Sequence, residues 1–435
     1  MRSISEISGP TNLSKMKRLL ISIVILLSVF SVKSQEITLN ECQQLARTNF
    51  PLIRQQALVN EAANTSAAAL LSRYFPQVQV AGQATWQSDV TKIPITIPNL
   101  TIPSLEKDQY KVYAEASQLI FDGGEIGLQR KTIHAKANVK QQKIEVEMYN
   151  LQDRINQTYF GILLMDEQLR QNELIQNDLN AALEKIKVMV KNGVSLVTNQ
   201  QNLEAELLKV NQYKTEINTQ RQSLIKVLSL LIGKELTNQT SFIRPLSITS
   251  SGDNQRPELK LLDIQINNLN LQNKQLTAQN LPKINLFAQG GVGKPALNMF
   301  SNNFEPYLIA GAKINWQFSR LYTLGKERSN IEIQRKSLNL QKELFNLNNS
   351  ISQTRQSAEI QKLKQMLQTD DEIIDLRNKI KKTSATQLEN GVITSADFIR
   401  EANAENQARQ SKALHEMQLL LAEYELKWIG QNPAP

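Results

Sequence analysis

The apolar positions of this chain follow two periods, a helical one over most of its length and a period of two in four short stretches. The dominant stretch runs from Glu125 to Lys191, with no proline and one glycine, Gly161, before Asn192-Gly193 interrupts it. At about 1.5 Å per residue it predicts a helical rod roughly 100 Å long, far beyond what a globular core uses. The following stretch, Leu196 to Ile232, and an earlier one, Thr38 to Tyr74, each predict a helix of roughly 55 Å. Two such helices end to end match the long one, which describes a long hairpin completed by a separately connected helix. The return arm sets Leu196, Leu203, Val210, Ile217, Leu224 and Leu231 at seven-residue spacing, seconded by Leu207 and Leu228. That repeat marks a coiled-coil seam, and Gly233 ends it. Thr38-Leu39-Asn40-Glu41 has the capping-box form that opens a helix.

Pro76 stops the first helix, because the residue before a proline is driven to extended backbone. The period then becomes two: Val78, Val80, Gly82, Ala84 and Trp86 alternate with Gln77, Gln79, Gln83, Thr85 and Gln87. A second alternating stretch spans Tyr110 to Phe121, with Tyr110, Val112, Ala114, Ala116 and Ile120 opposite Lys111, Glu115 and Ser117. The proline-rich segment between them, Asp89 to Gln109, is too long for a tight hairpin turn. Strands of about ten residues with this alternation fit outer-membrane barrels; alternation alone leaves a half-buried soluble sheet equally open. Phe121-Asp122-Gly123-Gly124 turns the chain into the long helix.

The whole pattern then recurs. Pro51 and Pro76 return at Pro257 and Pro282, shifted by 206; Phe121 returns at Phe318, shifted by 197; Asn192-Gly193-Val194 returns at Asn390-Gly391-Val392, shifted by 198. Two copies of one helix–strand–strand–helix–helix unit are expected: residues 35–233 and 257–430, joined by an equatorial linker at 234–256 and followed by a tail at 431–435. The second copy predicts strands Lys283–Val292 and Tyr307–Phe318, a long helix to Glu389, and a return helix with Leu414, Met417, Leu421, Tyr424 and Trp428 on one side. Four strands cannot close a barrel, and open sheet edges are not viable in lipid. Two, three or four copies of the chain are the simplest closures.

The formal charge of +9 changes this picture little. Residues 1–34 hold five of the 50 basic residues and one of the 41 acids, and without them the balance is +5. The remaining charges are interspersed along helices as solvated faces, which argues against nucleic-acid binding. Lys15-Met16-Lys17-Arg18 followed by the apolar run Leu19–Phe30 reads as a secretory signal over 1–34, with translation starting at Met1 or Met16. No later apolar run spans a bilayer as a helix. Cys42 is the single cysteine, so no internal disulfide forms. His134 and His415 stand alone at helix-surface positions, and Gly290-Gly291-Val292-Gly293-Lys294 lacks the first glycine and the Ser/Thr of a phosphate loop. No catalytic constellation stands out; an enzyme, a metal site and a cofactor are not expected.

Four short motifs, taken in order, carry a family resemblance: Ile37-Thr38-Leu39-Asn40-Glu41-Cys42 with Asn49-Phe50-Pro51, the helix-to-strand prolines Pro76 and Pro282, Phe121-Asp122-Gly123-Gly124, and the paired Asn-Gly-Val turns. From Ile37 to Gly430 the chain resembles the TolC family of outer-membrane efflux proteins, departing from it at Phe318-Ser319-Arg320-Leu321. The resemblance implies a mainly α fold with membrane β structure: long helical hairpins forming a periplasmic α-barrel, and four strands per chain in a twelve-stranded β-barrel closed by a homotrimer. It implies a location in the outer membrane, in contact with lipid, and docking of a periplasmic adaptor and an inner-membrane pump at the tips Asn192-Gly193-Val194 and Asn390-Gly391-Val392. The family's aperture aspartates fall six and nine positions after the turn glycine, here at Asp397 and Arg400, and in the first copy at Asn199 and Asn202. Asp397 is expected near the channel axis, with Arg400 paired to an acid of its own or a neighbouring chain as a gate-holding link. The bland alternative is an ordinary helical Asp and Arg. Two other functions are weighed: the adaptor itself, which would show one central hairpin and no lipid-facing strands, and an exported coiled-coil scaffold with soluble β caps.

Overall fold

The computed structural model describes residues 36–91, 104–247 and 256–430. The signal segment at 1–34 and the tail at 431–435 lie outside the described residues, as does part of the linker. In chain order the elements are β1 (Glu36–Ile37), α1 (Leu39–Asn49), α2 (Pro51–Leu71), β2 (Gln77–Trp86), β3 (Asp108–Phe121), α3 (Glu125–Lys191), α4 (Val197–Ile232), β4 (Ser241–Phe242), α5 (Pro257–Gln279), β5 (Lys283–Lys294), β6 (Glu305–Asn315), α6 (Leu321–Glu389) and α7 (Ser395–Gly430). Short 3-10 turns, Ser72–Tyr74 and Phe318–Arg320, follow α2 and precede α6.

The capping box forms as expected: the Thr38 N–H donates to Glu41 Oε2 at 2.8 Å and the Glu41 N–H to Thr38 Oγ1 at 3.2 Å. The single helix expected over Thr38–Tyr74 is instead two. Phe50 adopts extended backbone and Pro51 takes the first turn of α2, where its missing N–H costs nothing. The last strand also ends earlier than expected, at Asn315, because Phe318–Arg320 coil into a 3-10 turn. The first copy behaves differently at this joint. Asp122 Oδ1 accepts the Gly124 N–H at 2.8 Å and its Oδ2 accepts the Ile126 N–H at 2.7 Å, which caps α3. Phe318-Ser319-Arg320-Leu321 has no carboxylate to do this.

Two compact units divide the chain, and each takes segments from both sequence copies. The first holds the described parts of Met1–Ala46, Gln157–Leu246 and Ile373–Met417. Within it β1 pairs in parallel with β4, and the Tyr159 hydroxyl lies 2.9 Å from the Ile37 carbonyl and 2.7 Å from that of Ile243. The α4 seam is buried at Leu203, Leu207, Val210, Ile217, Leu228 and Leu231. Leu196 departs from the heptad: it is the N-cap of α4 and stays exposed. On α7, Met417 is buried while Leu414 faces outward.

The second unit holds Arg47–Asn156, the described parts of Ser247–Glu372, and Gln418 onward. It contains a four-stranded antiparallel sheet in the order β2-β3-β5-β6. The expected alternation is correct in phase, and along most of β2 and β3 like faces like: Val80 faces Ala114 and Gln79 faces Glu115, while at the strand end Trp86 faces Asp108. In the same unit, at the start of α5 and far along it from the sheet, Arg256, itself paired to Glu258, is enclosed by the rings of Tyr149, Phe345 and Trp428.

Candidate functional site

Both long helices end in the same way, and the sequence shows why. Gly193 adopts φ +72° and Gly391 φ +68°, backbone that an L side chain rarely takes. The Gly193 N–H donates to the Val190 carbonyl at 3.0 Å and the Val194 N–H to that of Met189 at 2.8 Å; Gly391 and Val392 repeat this toward Leu388 and Gln387 at 3.1 and 2.8 Å. These are Schellman closures, which satisfy the last carbonyls of each helix. Asn192 and Asn390 are the first residues past each helix, and Val194 and Val392 stand about 70% exposed at the two tips (70% and 69%).

The return helices start differently. Leu196 offers α4 no side-chain cap. On α7 the Thr394 N–H and hydroxyl donate to Asp397 Oδ2 at 3.2 and 2.7 Å, and the Asp397 N–H returns a bond to Thr394 Oγ1 at 3.3 Å. Asp397 is therefore the acidic member of a capping box, where its charge also meets the positive end of the helix dipole. Its carboxyl is held below the usual aspartate range, first by the Thr394 hydroxyl and amide and then by the nearby Arg400. Arg400 lies 3.2 Å from Asp397 and 3.2 Å from Glu401, both in its own chain.

Asn199 and Asn202 meet the second copy directly. Asn199 Oδ1 accepts the Ser395 N–H at 3.2 Å and the Ser395 hydroxyl at 3.0 Å, while Asn202 Nδ2 lies 3.5 Å from Ser395 Oγ. Ser395 is wholly buried (0% exposed). A side chain from one hairpin thus caps the first turn of the other. Sequence reasoning missed Ser395 and Thr394, although Thr394-Ser395-Ala396-Asp397 repeats the box form of Thr38-Leu39-Asn40-Glu41. It also missed an ionic belt in the same unit: Lys381 lies 2.6 Å from Asp178 and 3.4 Å from the buried Glu405, which also holds Arg409, and Lys185 pairs with Glu389. Beside this belt a cavity of about 200 Å³ is lined by Ala182, Met189, Leu388 and Phe398 among others.

Pro76 and Pro282 each stand immediately before a strand, β2 and β5. In the sheet the polar face is the less exposed one along β3, and the apolar face is open: Val80 is 76% exposed, with Val78, Trp86, Val112, Ile120, Leu308 and Ile314 also outward. A soluble half-buried sheet would show the reverse. On the polar face Lys111 lies over the Tyr307 ring at 4.7 Å, and Tyr113 and Tyr307 flank Gly291. Among the described residues neither outer strand, β2 nor β6, has a second neighbour.

No family model and no curated protein matches this sequence. Solved structures do match. CusC, described for its folding and transmembrane channel formation, superposes with a TM-score of 0.69 at 14% identity, covering 91% of this chain and 92% of that one. The outer membrane protein VceC of Vibrio cholerae gives 0.64 at 12% identity, over 90% and 96% of the two chains. The CmeC outer membrane channel of Campylobacter jejuni gives 0.61 at 11%, over 90% and 86%. The chain has the fold of outer-membrane channels. Identity this low extends to the fold and not to individual side chains, so the roles of Asp397, Arg400, Asn199 and Asn202 rest on their geometry here. Among the described residues no helix is long and apolar enough to cross a membrane.

Proposed function

We propose that this protein is a homotrimeric channel of the outer membrane and the exit duct of a tripartite export system, fed through a periplasmic adaptor by an inner-membrane pump. The observation that carries the proposal is the sheet: an open apolar face on strands of membrane-spanning length, with both edges unpaired among the described residues. In lipid such edges must be closed by further strands, and β6 of one copy meeting β2 of the next supplies them. Three copies give twelve strands with a polar lumen. The helices support the same reading, because α6 leaves Ile333, Leu340, Leu344, Leu347 and Ile351 exposed at helical spacing, a stripe for a neighbouring copy. The exposed tips Val194 and Val392 are the surfaces offered to the adaptor. Light scattering of the detergent-purified complex, corrected for bound detergent, tests this. A protein mass of three chains is expected, and a stable folded monomer would overturn the proposal.

A further inference from the structure

The loop joining β5 to β6, residues 295–304, holds no charged residue and exposes four large apolar side chains: Leu297, Met299, Phe300 and Phe304 are 59%, 52%, 53% and 60% exposed. Its polar residues are spent on the loop itself and its neighbour. Asn298 Oδ1 accepts the Phe300 N–H at 3.1 Å and Ser301 Oγ the Asn303 N–H at 3.4 Å. Asn302 donates to the Ser104 carbonyl at 2.9 Å and accepts the Glu106 N–H at 3.0 Å, which pins the loop to the opposite connection. The N–H groups of Phe300, Ser301 and Asn303 are thus satisfied within the loop while its apolar side chains turn out, an arrangement that suits an apolar surrounding.

The loop is also continuous with the apolar strand face. Phe304 shares the sequence parity of Leu308 on that face, and its ring centroid lies 6.2 Å from that of Tyr110, the outward residue of β3. Trp86 ends β2 on the same face. Of the charges at this rim, Lys294 pairs with Glu106 at 2.7 Å and Lys107 lies 5.9 Å over the Trp86 ring, long enough to place its ammonium at a headgroup level, while the carboxylates Asp108, opposite Trp86, and Glu305 mark where the band meets the aqueous edge.

We infer that loop 295–304 is a membrane anchor, which inserts Leu297, Met299, Phe300 and Phe304 into the outer leaflet beside the barrel and extends its apolar band past the strand ends. Aromatic and long apolar side chains at a bilayer interface act in this way. The occupant is lipid; the chief rival is a second copy meeting this loop across the channel mouth. The inference rests on the channel reading.

The test uses the native cysteine background. Cys42 is buried and its thiol is pushed up to about 12, chiefly by burial, so it does not react. Phe300→Cys, Leu297→Cys, Val80→Cys and Val194→Cys are each labelled with a small fluorophore in the full-length protein and reconstituted in phosphatidylcholine vesicles with or without brominated acyl chains. At positions 300 and 297 the bromolipid is expected to lower fluorescence at least twofold, as at the strand-face position 80, and to leave the tip position 194 unchanged. Quenching at 80 but at neither loop position overturns the anchor and leaves the channel standing. No quenching at 80 overturns both. Phe300→Cys chains that form disulfide-linked dimers without bromolipid quenching point to the mouth contact and also overturn the anchor.

Discussion

Asn199 does its work through one buried residue of the other sequence copy. Replacing it with alanine leaves the Ser395 N–H and hydroxyl without their acceptor in a fully buried position, a loss of about 1–3 kcal/mol. Asn199→Ala is expected to speed amide hydrogen exchange at Ser395 and the first turn of α7 by one to two orders of magnitude; unchanged protection would show that the bond carries no weight. Asp397 predicts a pH response. Its folded carboxyl titrates below the usual value of 3.8, so its contribution to the α7 cap is present above that value and is lost as pH falls through the folded midpoint. An NMR titration should find that midpoint below 3.8, and Thr394→Val, which removes the leading cause, should move it upward. The Thr-x-x-Asp box was readable from residues 394–397, whereas Asn199 as a cap for a helix some 196 positions later was not, since nothing local in a sequence marks a partner that folding alone brings near.

At the scale of elements, helix length and strand phase follow from local pattern. The uninterrupted run from Glu125 to Lys191 is a single helix because it offers no proline and no cap until Gly193, and α1 and α2 separate because Pro51 lacks the N–H that would join them. Pairing is different. Gly291 sits where β3 and β5 approach so closely that an added Cβ would lie 2.4 Å from the Val112 carbonyl oxygen and 2.6 Å from Tyr113 Cβ. Gly291→Ala is therefore expected to prevent correct β3–β5 pairing, seen as loss of the heat-modifiable folded band on a gel. Gly290→Ala, where an added Cβ meets only ordinary contacts of 3.6 Å or more, should keep that band. In the sequence Gly290, Gly291 and Gly293 look alike, and only the register against β3 separates them.

For the whole molecule, the sheet faces give the sharpest test of the channel. A lysine in place of Val80 on the open apolar face should cost about 2–4 kcal/mol if that residue meets the bilayer interior. The same change at Gln79, one residue away on the polar face, should cost little. Assembly into the outer-membrane fraction is therefore expected to fall sharply for Val80→Lys and to stay near the parent level for Gln79→Lys. Equal behaviour of the two would remove the distinction between a lipid face and a lumen face.

The sequence by itself determined the long helices and their returns, the strand phase and the glycine turns, because each depends on neighbours within a few residues: an apolar period, a missing N–H, a left-handed backbone position. It also showed that one chain has too few strands to close. Tertiary structure alone decided which face of the sheet is open, that Asp397 is engaged in capping α7, that Asn199 and Ser395 join the two hairpins, and that loop 295–304 turns its apolar side outward. Each of these is a matter of which distant groups become neighbours, and a local pattern is compatible with many such pairings.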